Sequence, residues 1–274
     1  MISTSFWLLI FCSAVFFLLS IHPFVLYPAS LWLLKRTRGN QPSMRTGDLP
    51  SFSICVCAYN EESVIAAKAE NMLALARTVP NCELLIYVDG ASDRTAERLE
   101  PYADRIRVVV GPERRGKSYG MNLLVSRARG DVIVFSDANV MLDSEALKEI
   151  GPRFTDSKVG CVCGQLIYSN ADESAMASSG SLYWRVEEAI KRLESDAYSV
   201  IGADGSLFAI RRSLHHPVPD DIIDDFYVSM KILIDGYRVV SEPKALAFER
   251  SATNTYDEFR RKIRLACQAF NVHR

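Results

Sequence analysis

CELLIYVDGASDRT, residues 82–95, decides the fold. Its first half is apolar nearly throughout and reads as a strand, CELLIYVD (82–89), rich in residues that suit a pleated surface. Asp89 ends the apolar run, Gly90 permits a tight turn, and Asp93 is placed to cap a short helix. A strand that is apolar on both faces needs cover on both faces, which points to a parallel sheet between helices. The same unit recurs on either side. SFSICVCAY (51–59) reads as a strand and 61–77 as a helix with Ala and Leu along one face. RIRVVV (105–110) is a strand, 118–129 a helix, DVIVFSD (131–137) a strand and 144–154 a helix. Alternation of this kind predicts an α/β domain with a mostly parallel sheet. Ligands of such sheets bind beyond the carboxyl ends of the strands, where Asp89 and Asp137 fall.

Past residue 157 the rhythm changes. KVGCVCGQLIY (158–168) and SLFAIRR (206–212) read as strands, separated by a helical stretch, YWRVEEAIKRLES (183–195). A helix at 224–236, the segment YRVVSEP (237–243) and a last amphipathic helix at 255–270 follow. This half is expected to complete the sheet and to wall the site.

The other end of the chain has a different character. FWLLIFCSAVFFLLSIHPFVLYPASLWLL (6–34) contains no Asp, Glu, Lys or Arg. A hydrocarbon core of ~30 Å needs about 20 helical residues, so the stretch is long enough to span. A signal peptide needs a basic start, a shorter apolar run and a small-residue cleavage site, and none is clear here. His22-Pro23 and Tyr27-Pro28 are expected to break the helix, leaving a spanning part near 5–26 and an interfacial continuation. The division is therefore a transmembrane and interfacial helix at 1–34, a polar linker at 35–50 and the α/β domain at 51–274. Lys35, Arg36, Arg38 and Arg45 follow the apolar run and no charged side chain precedes it. That asymmetry predicts a cytoplasmic location for residues 40–274.

Composition removes some classes. Lys and Arg number 32 against 33 Asp and Glu, with no basic run interleaved with aromatics, so nucleic acid is excluded as the expected partner. Cys55/Cys57 and Cys161/Cys163 form two C-x-C pairs in strands, where alternate residues share a face, so they read as small core side chains rather than zinc ligands. His215-His216 precede Pro217 and read as a solvated turn.

The chemistry sits in three carboxylate clusters that end apolar runs: Asp89, Asp137 and Asp224-Asp225. Asp137 with Asn139 offers oxygen ligands suited to a hard divalent ion that keeps positions open for phosphate. Between Asp89 and Asp137 lies GPERRGKS (111–118), which matches the phosphate-binding loop of nucleotide hydrolases and sits between a strand and a helix as that motif demands. A nucleotide hydrolase is therefore a competing reading. Against it stand the bulky Pro112, Glu113, Arg114 and Arg115 inside the loop, and the unexplained Asp89 and Asp224-Asp225.

The ordered set AYNEE (58–62), VDGASDRT (88–95), RRGKSYGMN (114–122), SDAN (136–139), GADGSLFAIRR (202–212), DDF (224–226) and RRKIR (260–264) resembles the family 2 glycosyltransferases. Its membrane-bound members, related to cellulose, hyaluronan and poly-N-acetylglucosamine synthases, are the most similar. The resemblance runs from about residue 50 to the end. It implies the Rossmann-like A-type glycosyltransferase fold and inverting transfer from a nucleotide-sugar, a UDP-sugar by preference, to a saccharide or lipid-linked acceptor at a membrane. It implies that Ala58, Tyr59 and Glu61 line the base pocket, that Asp89 contacts uracil and that Lys117 lies beside the nucleotide. Asp137 and Asn139 would hold Mg²⁺ or Mn²⁺ on the diphosphate, Asp225 would be the catalytic base with Asp224 beside it, and Arg264 would face the diphosphate. Tyr183, Trp184 and Glu187 are candidates for the acceptor side. The chain departs from the family at Asn139, an Asp elsewhere, and at Arg261 and Leu265, where Gln and Trp are usual, which puts long-chain polymerisation in doubt. Relatives continue into further membrane helices, so truncation before them is expected. A catalytically silent, membrane-tethered relative is the remaining alternative.

Overall fold

Two prolines bend the hydrogen-bond ladder of the N-terminal helix without breaking it. The computed structural model of the chain describes residues 4–38, 49–169, 175–220, 222–250 and 263. Helix α1 (Thr4–Ile21) passes through a wider turn at His22–Leu26 into α2 (Tyr27–Arg38). The expected break at His22-Pro23 and Tyr27-Pro28 is absent, because the turn opens to an i→i+5 bond, Tyr27 N–H to His22 O. That widening makes room for a ring that would clash in a regular helix. Ser5–Arg36 is thus one helix, long and apolar enough to cross a membrane.

The first half then lays out its strands through helical crossovers. β1 (Phe52–Ala58), α3 (Ile65–Ala76), β2 (Cys82–Val88), α4 (Thr95–Leu99), β3 (Arg107–Val110), α5 (Lys117–Arg127) and β4 (Val132–Ser136) follow in turn. β1 pairs in parallel with β2 and β4, and β2 with β3. The short β5 (Met141–Leu142) and α6 (Ala146–Ile150) come next. The helix expected over 144–154 ends early and continues as a 3₁₀ stretch, Gly151–Thr155, where Pro152 cannot donate to the ladder.

The second half closes the sheet with mixed pairing. β6 (Val159–Tyr168), α7 (Ala175–Ala197), β7 (Leu207–Arg211), α8 (Asp224–Ile234) and β8 (Arg238–Glu249) complete an eight-stranded sheet of order β3-β2-β1-β4-β7-β6-β8-β5 among the described residues. β7 runs antiparallel to both β4 and β6, while β6 and β8 are parallel. β8 is longer than YRVVSEP suggested. Its ladder with β6 slips between Cys163/Ser241 and Gln165/Leu246, so Pro243 sits in the irregularity and owes no ladder bond. The helix expected at 255–270 lies outside the described residues.

Alternation along the strands sorts the core into two layers. Ile54, Val56, Ile86 and Val134 pack under α3 with Met72 on one face. Cys55, Leu85 and Ile133 pack with Met121, Leu124 and Phe208 on the other. Cys161 and Cys163 belong to that second layer and Cys57 packs against it, so the C-x-C pairs serve as small apolar side chains.

α2 does not stand apart from this domain. Its Leu31 is buried, Tyr27 donates to Glu194 Oε1 at 2.6 Å, and Lys35 pairs with Asp196 at 2.6 Å. Both acceptors lie on α7.

Candidate active site

β1 is the point from which the chain leaves in two directions, first outward to β2 and β3, then back to β4 on the opposite flank. Crossovers on either side of such a strand leave a crevice at its carboxyl end. A cleft of about 860 Å³ opens there, within the ~300–1,000 Å³ range typical of small-molecule sites.

The strand ends deliver the first wall. Ala58 ends β1, Tyr59 follows it, Asp89 follows β2, and Asp137 follows β4. Asn60, in the left-handed region at φ 55°, takes the Ser92 N–H on its side-chain oxygen and ties the first two turns together. The Arg114 guanidinium stacks 4.1 Å from the Tyr59 ring centre. Glu61 also lines the cleft; burial, then the charges of Asp137 and Asp93, push its carboxyl up. Asp93 accepts the Thr95 N–H at 3.0 Å, but the cap position of α4 is Arg94, which makes no side-chain cap bond, so the expected Asp93 cap stands one residue before it.

Asp89 fastens the basic loop. Its Oδ1 accepts the Arg115 N–H at 2.7 Å and the Tyr87 hydroxyl at 3.2 Å, and its Oδ2 accepts the Gly116 N–H at 2.8 Å. Gly90 lets the loop approach, since a Cβ there would lie 2.3 Å from the Glu113 carbonyl carbon. The phosphate-loop reading of GPERRGKS fails on this geometry. Amides that a phosphate cradle would need are taken by a carboxylate, and Lys117 points elsewhere. Each carboxylate oxygen accepts about two bonds, so Oδ2 retains capacity for a ligand donor.

The two walls meet at Lys117, the first residue of α5. Its ammonium lies 2.8 Å from Asp137 Oδ1 and 3.0 Å from Asp224 Oδ2. Burial pulls its pKa down, but Asp137, Asp224 and Asp225 outweigh that and hold it well above the usual lysine value. Asp224 and Asp225 open α8, and Asp225 Oδ1 accepts the Phe226 N–H at 2.6 Å. Burial first, then the Asp224 charge, raises the Asp225 carboxyl to about 7 against the pull of Lys117. A carboxylate at that value can take a proton near neutral pH.

Asp137 and Asn139 offer oxygens to a hard cation. Asn139 commits its amide nitrogen to Glu249 Oε1 at 3.0 Å, which leaves its carbonyl oxygen available to a cation. Among the described residues no group of three or more His, Cys, Asp or Glu side chains is set to hold a metal. The local charge still suits a cation, since two carboxylates converge on one ammonium. The donor set, carboxylate and amide oxygen with room for phosphate, fits Mg²⁺ or Mn²⁺.

The residues expected to bind the donor, hold the metal or act as base line the cleft except Arg264, which lies outside the described residues with Arg261 and Leu265. Glu187 lines the cleft too, while the side chains of Tyr183 and Trp184 are not among those described. His215 is not in a solvated turn. It is half-buried, 3.2 Å from Asn122 Oδ1, and burial lowers it to about 4. His216 pairs with Asp235 at 2.7 Å.

Sequence reasoning gave no role to four residues, two of which, Asp204 and Gly205, stand inside the quoted GADGSLFAIRR motif. Gly205 lies against Asp225: a Cβ there would sit 2.9 Å from its Oδ2. Asp204, in the same loop, lines the cleft and takes the Ser206 N–H. Glu249 arrives from β8 with no local signal. Lys68 is buried on α3 behind Asp137, and its signal was a charge on an apolar helical stripe.

A family model described as "Glycosyl transferase family 2" matches residues 53–218. The poly-beta-1,6-N-acetyl-D-glucosamine synthase of Staphylococcus aureus is 27% identical over 223 residues, 78% of this chain and 53% of the relative. A beta-monoglucosyldiacylglycerol synthase of Trichormus variabilis is 34% identical over 144 residues, 51% of this chain and 31% of the relative. The chain thus spans about half the length, or less, of these curated relatives. Among solved structures, a mannosyltransferase from Pyrobaculum calidifontis in complex with GDP-Man and Mn²⁺ superposes with a TM-score of 0.74 at 21% identity, covering 92% of this chain and 74% of that one.

Proposed function

The chain belongs to glycosyl transferase family 2 and has the A-type glycosyltransferase fold, and from that premise we propose a metal-assisted, inverting transfer from a UDP-sugar to a saccharide or lipid-linked acceptor at the cytoplasmic face of a membrane, in polysaccharide or glycoconjugate synthesis. One observation carries the reading: Lys117 joins the strand-end carboxylate Asp137 to Asp224, with the raised carboxyl of Asp225 next in the chain.

The donor lies along the strand-end wall. Its base packs on Ala58, Tyr59 and Glu61, and the remaining capacity of Asp89 Oδ2 meets a base N–H. Asp137 and Asn139 hold Mg²⁺ or Mn²⁺, which supplies positive charge to the diphosphate when bound. Lys117 adds a second positive charge beside it. The acceptor enters from the opposite wall, past Glu187 and the 201–205 loop. Asp225 takes the proton from its hydroxyl as that oxygen attacks the anomeric carbon. The bond to the diphosphate breaks on the far side, so a single displacement inverts the centre. Lys117 and, from the resemblance, Arg264 face the charge that develops on the departing diphosphate.

The relatives suggest where to begin. One is named for an N-acetylglucosamine polymer and one for a glucosyl lipid, which supports testing UDP-sugars first. The long apolar helix Ser5–Arg36, and the Lys and Arg that follow the apolar run, support membrane attachment with the domain inside.

The test is nucleotide release in membranes from UDP-N-acetylglucosamine, UDP-glucose and GDP-mannose, with and without Mn²⁺ or Mg²⁺. The expected result is metal-dependent UDP release from one of the two UDP-sugars. Release from GDP-mannose alone overturns the donor assignment, and silence across the panel favours a catalytically silent relative.

A further inference from the structure

Helix α3 carries a charge where its pattern asks for an apolar side chain. Ile65, Lys68, Ala69 and Met72 recur at helical spacing and all four are buried, Lys68 completely. An ammonium leaves water at a cost unless it finds partners inside. Lys68 finds two: its Nζ donates to Ser136 Oγ at 2.9 Å and to the Val140 carbonyl at 2.5 Å.

Those partners are not scattered. Ser136 is the last residue of β4, and Val140 stands just before β5. They are the two ends of the turn that carries Asp137 and Asn139. One turn further along α3, Asn71 donates to the Leu142 carbonyl at 2.8 Å and accepts the Leu142 N–H at 2.9 Å. The helix thus grips the turn and the strand after it, with Lys68 close enough to feel the Asp137 charge.

We propose that Lys68 is a positioning residue for the cation and diphosphate site: it staples Ser136 to Val140 so that Asp137 and Asn139 present their oxygens to one ion. The proposal rests on the reading of Asp137 and Asn139 as metal ligands. Lys68 itself touches neither substrate nor metal.

Coulomb attraction and positioning predict opposite signs for the same substitution. Removing a buried positive charge close to Asp137 would, by charge alone, tighten the binding of a cation there. Releasing the staple would loosen it.

The experiment is Mn²⁺ titration of the full chain in detergent with UDP present, following free Mn²⁺ by electron paramagnetic resonance, with thermal unfolding measured in parallel. Lys68→Met keeps the length and suits the apolar stripe. We expect Mn²⁺ binding at least tenfold weaker, with a somewhat lower melting temperature because the Ser136 hydroxyl and Val140 carbonyl lose a buried donor. Binding within twofold of wild type, or tighter, overturns the proposal. Ser136→Ala removes one end of the staple without touching α3, and about threefold weaker binding is expected. It decides the matter should Lys68→Met fail to fold, and unchanged binding then overturns the proposal. Asp137→Ala separates this idea from its premise. If that variant also binds Mn²⁺ as wild type does, the metal reading fails; if it alone loses binding, only the role of Lys68 fails.

Discussion

The two walls of the cleft are built by different means. Tyr59, Asp89 and Asp137 each follow directly on a parallel strand, so backbone pairing fixes where they emerge. The facing wall, residues 201–206 with Asp224 and Asp225, has no such frame. It is held by side chains of the helices on either side of it: the Ala203 N–H donates to Ser229 Oγ on α8 at 3.0 Å, and the Ile201 N–H to Glu194 Oε2 on α7 at 3.2 Å. The first wall is a consequence of the sheet, whereas the second depends on helices α7 and α8 being correctly docked. In the proposed reaction the first wall holds the donor and the second holds the base and the acceptor. Damage to the first should therefore weaken donor or metal binding, and damage to the second should slow the transfer.

The largest effect that would break this division is at Asp225. Asp225→Asn removes the base while keeping its shape, and transfer should fall on the order of 10²–10⁴-fold, the usual worth of a general base. UDP-sugar affinity, measured by calorimetry, should hold within about threefold. A comparable loss of affinity would place Asp225 on the donor side. The pH profile sharpens the same point. Burial and the Asp224 charge raise the Asp225 carboxyl to about 7, and only the deprotonated form accepts a proton. The transfer rate should therefore fall as pH drops through about 7 and level off above it. A rate independent of pH between 6 and 8, values that bracket about 7, would remove the base from this residue.

Asp137→Ala tests the opposite wall. It takes a ligand from the proposed ion and a partner from the Lys117 ammonium, 2.8 Å away. Transfer should drop by roughly 10²-fold, and the Mn²⁺ needed for half-maximal rate should rise by about the 10- to 100-fold that outer-shell losses alone cause. A loss of rate with no change in Mn²⁺ requirement would leave Asp137 as an anchor for Lys117 only.

Sequence legibility divides along the same line. The residues of the first wall were readable because each closes an apolar run, and a strand end is a local signal: VIVFS then Asp137, LLIYV then Asp89. Asp224 and Asp225 were readable by motif. What the motif could not show is the company they keep, because Lys117, Asp204 and Gly205 reach them through tertiary packing. Glu249 gave no local sign, since β8 continues past Pro243 only because its ladder with β6 slips there. The mixed pairing of the second half was equally hidden, for apolar runs give no strand direction. His215 read as a turn residue from its proline neighbourhood, yet Asn122 and Phe135 enclose it from elsewhere in the chain.

Gly205→Ala gives a middle-sized test inside the second wall. A Cβ would meet Asp225 Oδ2 at 2.9 Å and the Lys117 ammonium at 3.4 Å, so one of them must move. The Asp225 carboxylate is the end of a side chain and gives way, and a displaced reacting group slows the chemistry. The turnover rate should fall by roughly tenfold or more, with donor affinity little changed. Equal losses in turnover and donor affinity would mean the two walls are not separable at this point.

The smallest expected effect tests how far the second wall extends. Tyr27, in the N-terminal helix, donates to Glu194 Oε1 at 2.6 Å, while Glu194 Oε2 accepts the Ile201 N–H. One carboxylate therefore joins the apolar helix to the loop that lines the cleft. Tyr27→Phe removes only the hydroxyl, and a hydrogen bond to a charged group contributes about 1.5–3 kcal/mol at most sites. Lys35 and Leu31 still fasten α2 to the domain, so most of that should be absorbed. A rise of about two- to fivefold in the acceptor KM, with the UDP-sugar KM unchanged, is the expected outcome. It would mean that the loop over the acceptor is held in place from the helix proposed to cross the membrane. An unchanged acceptor KM, with both KM values matching wild type, would confine the second wall to α7, α8 and the 201–206 loop.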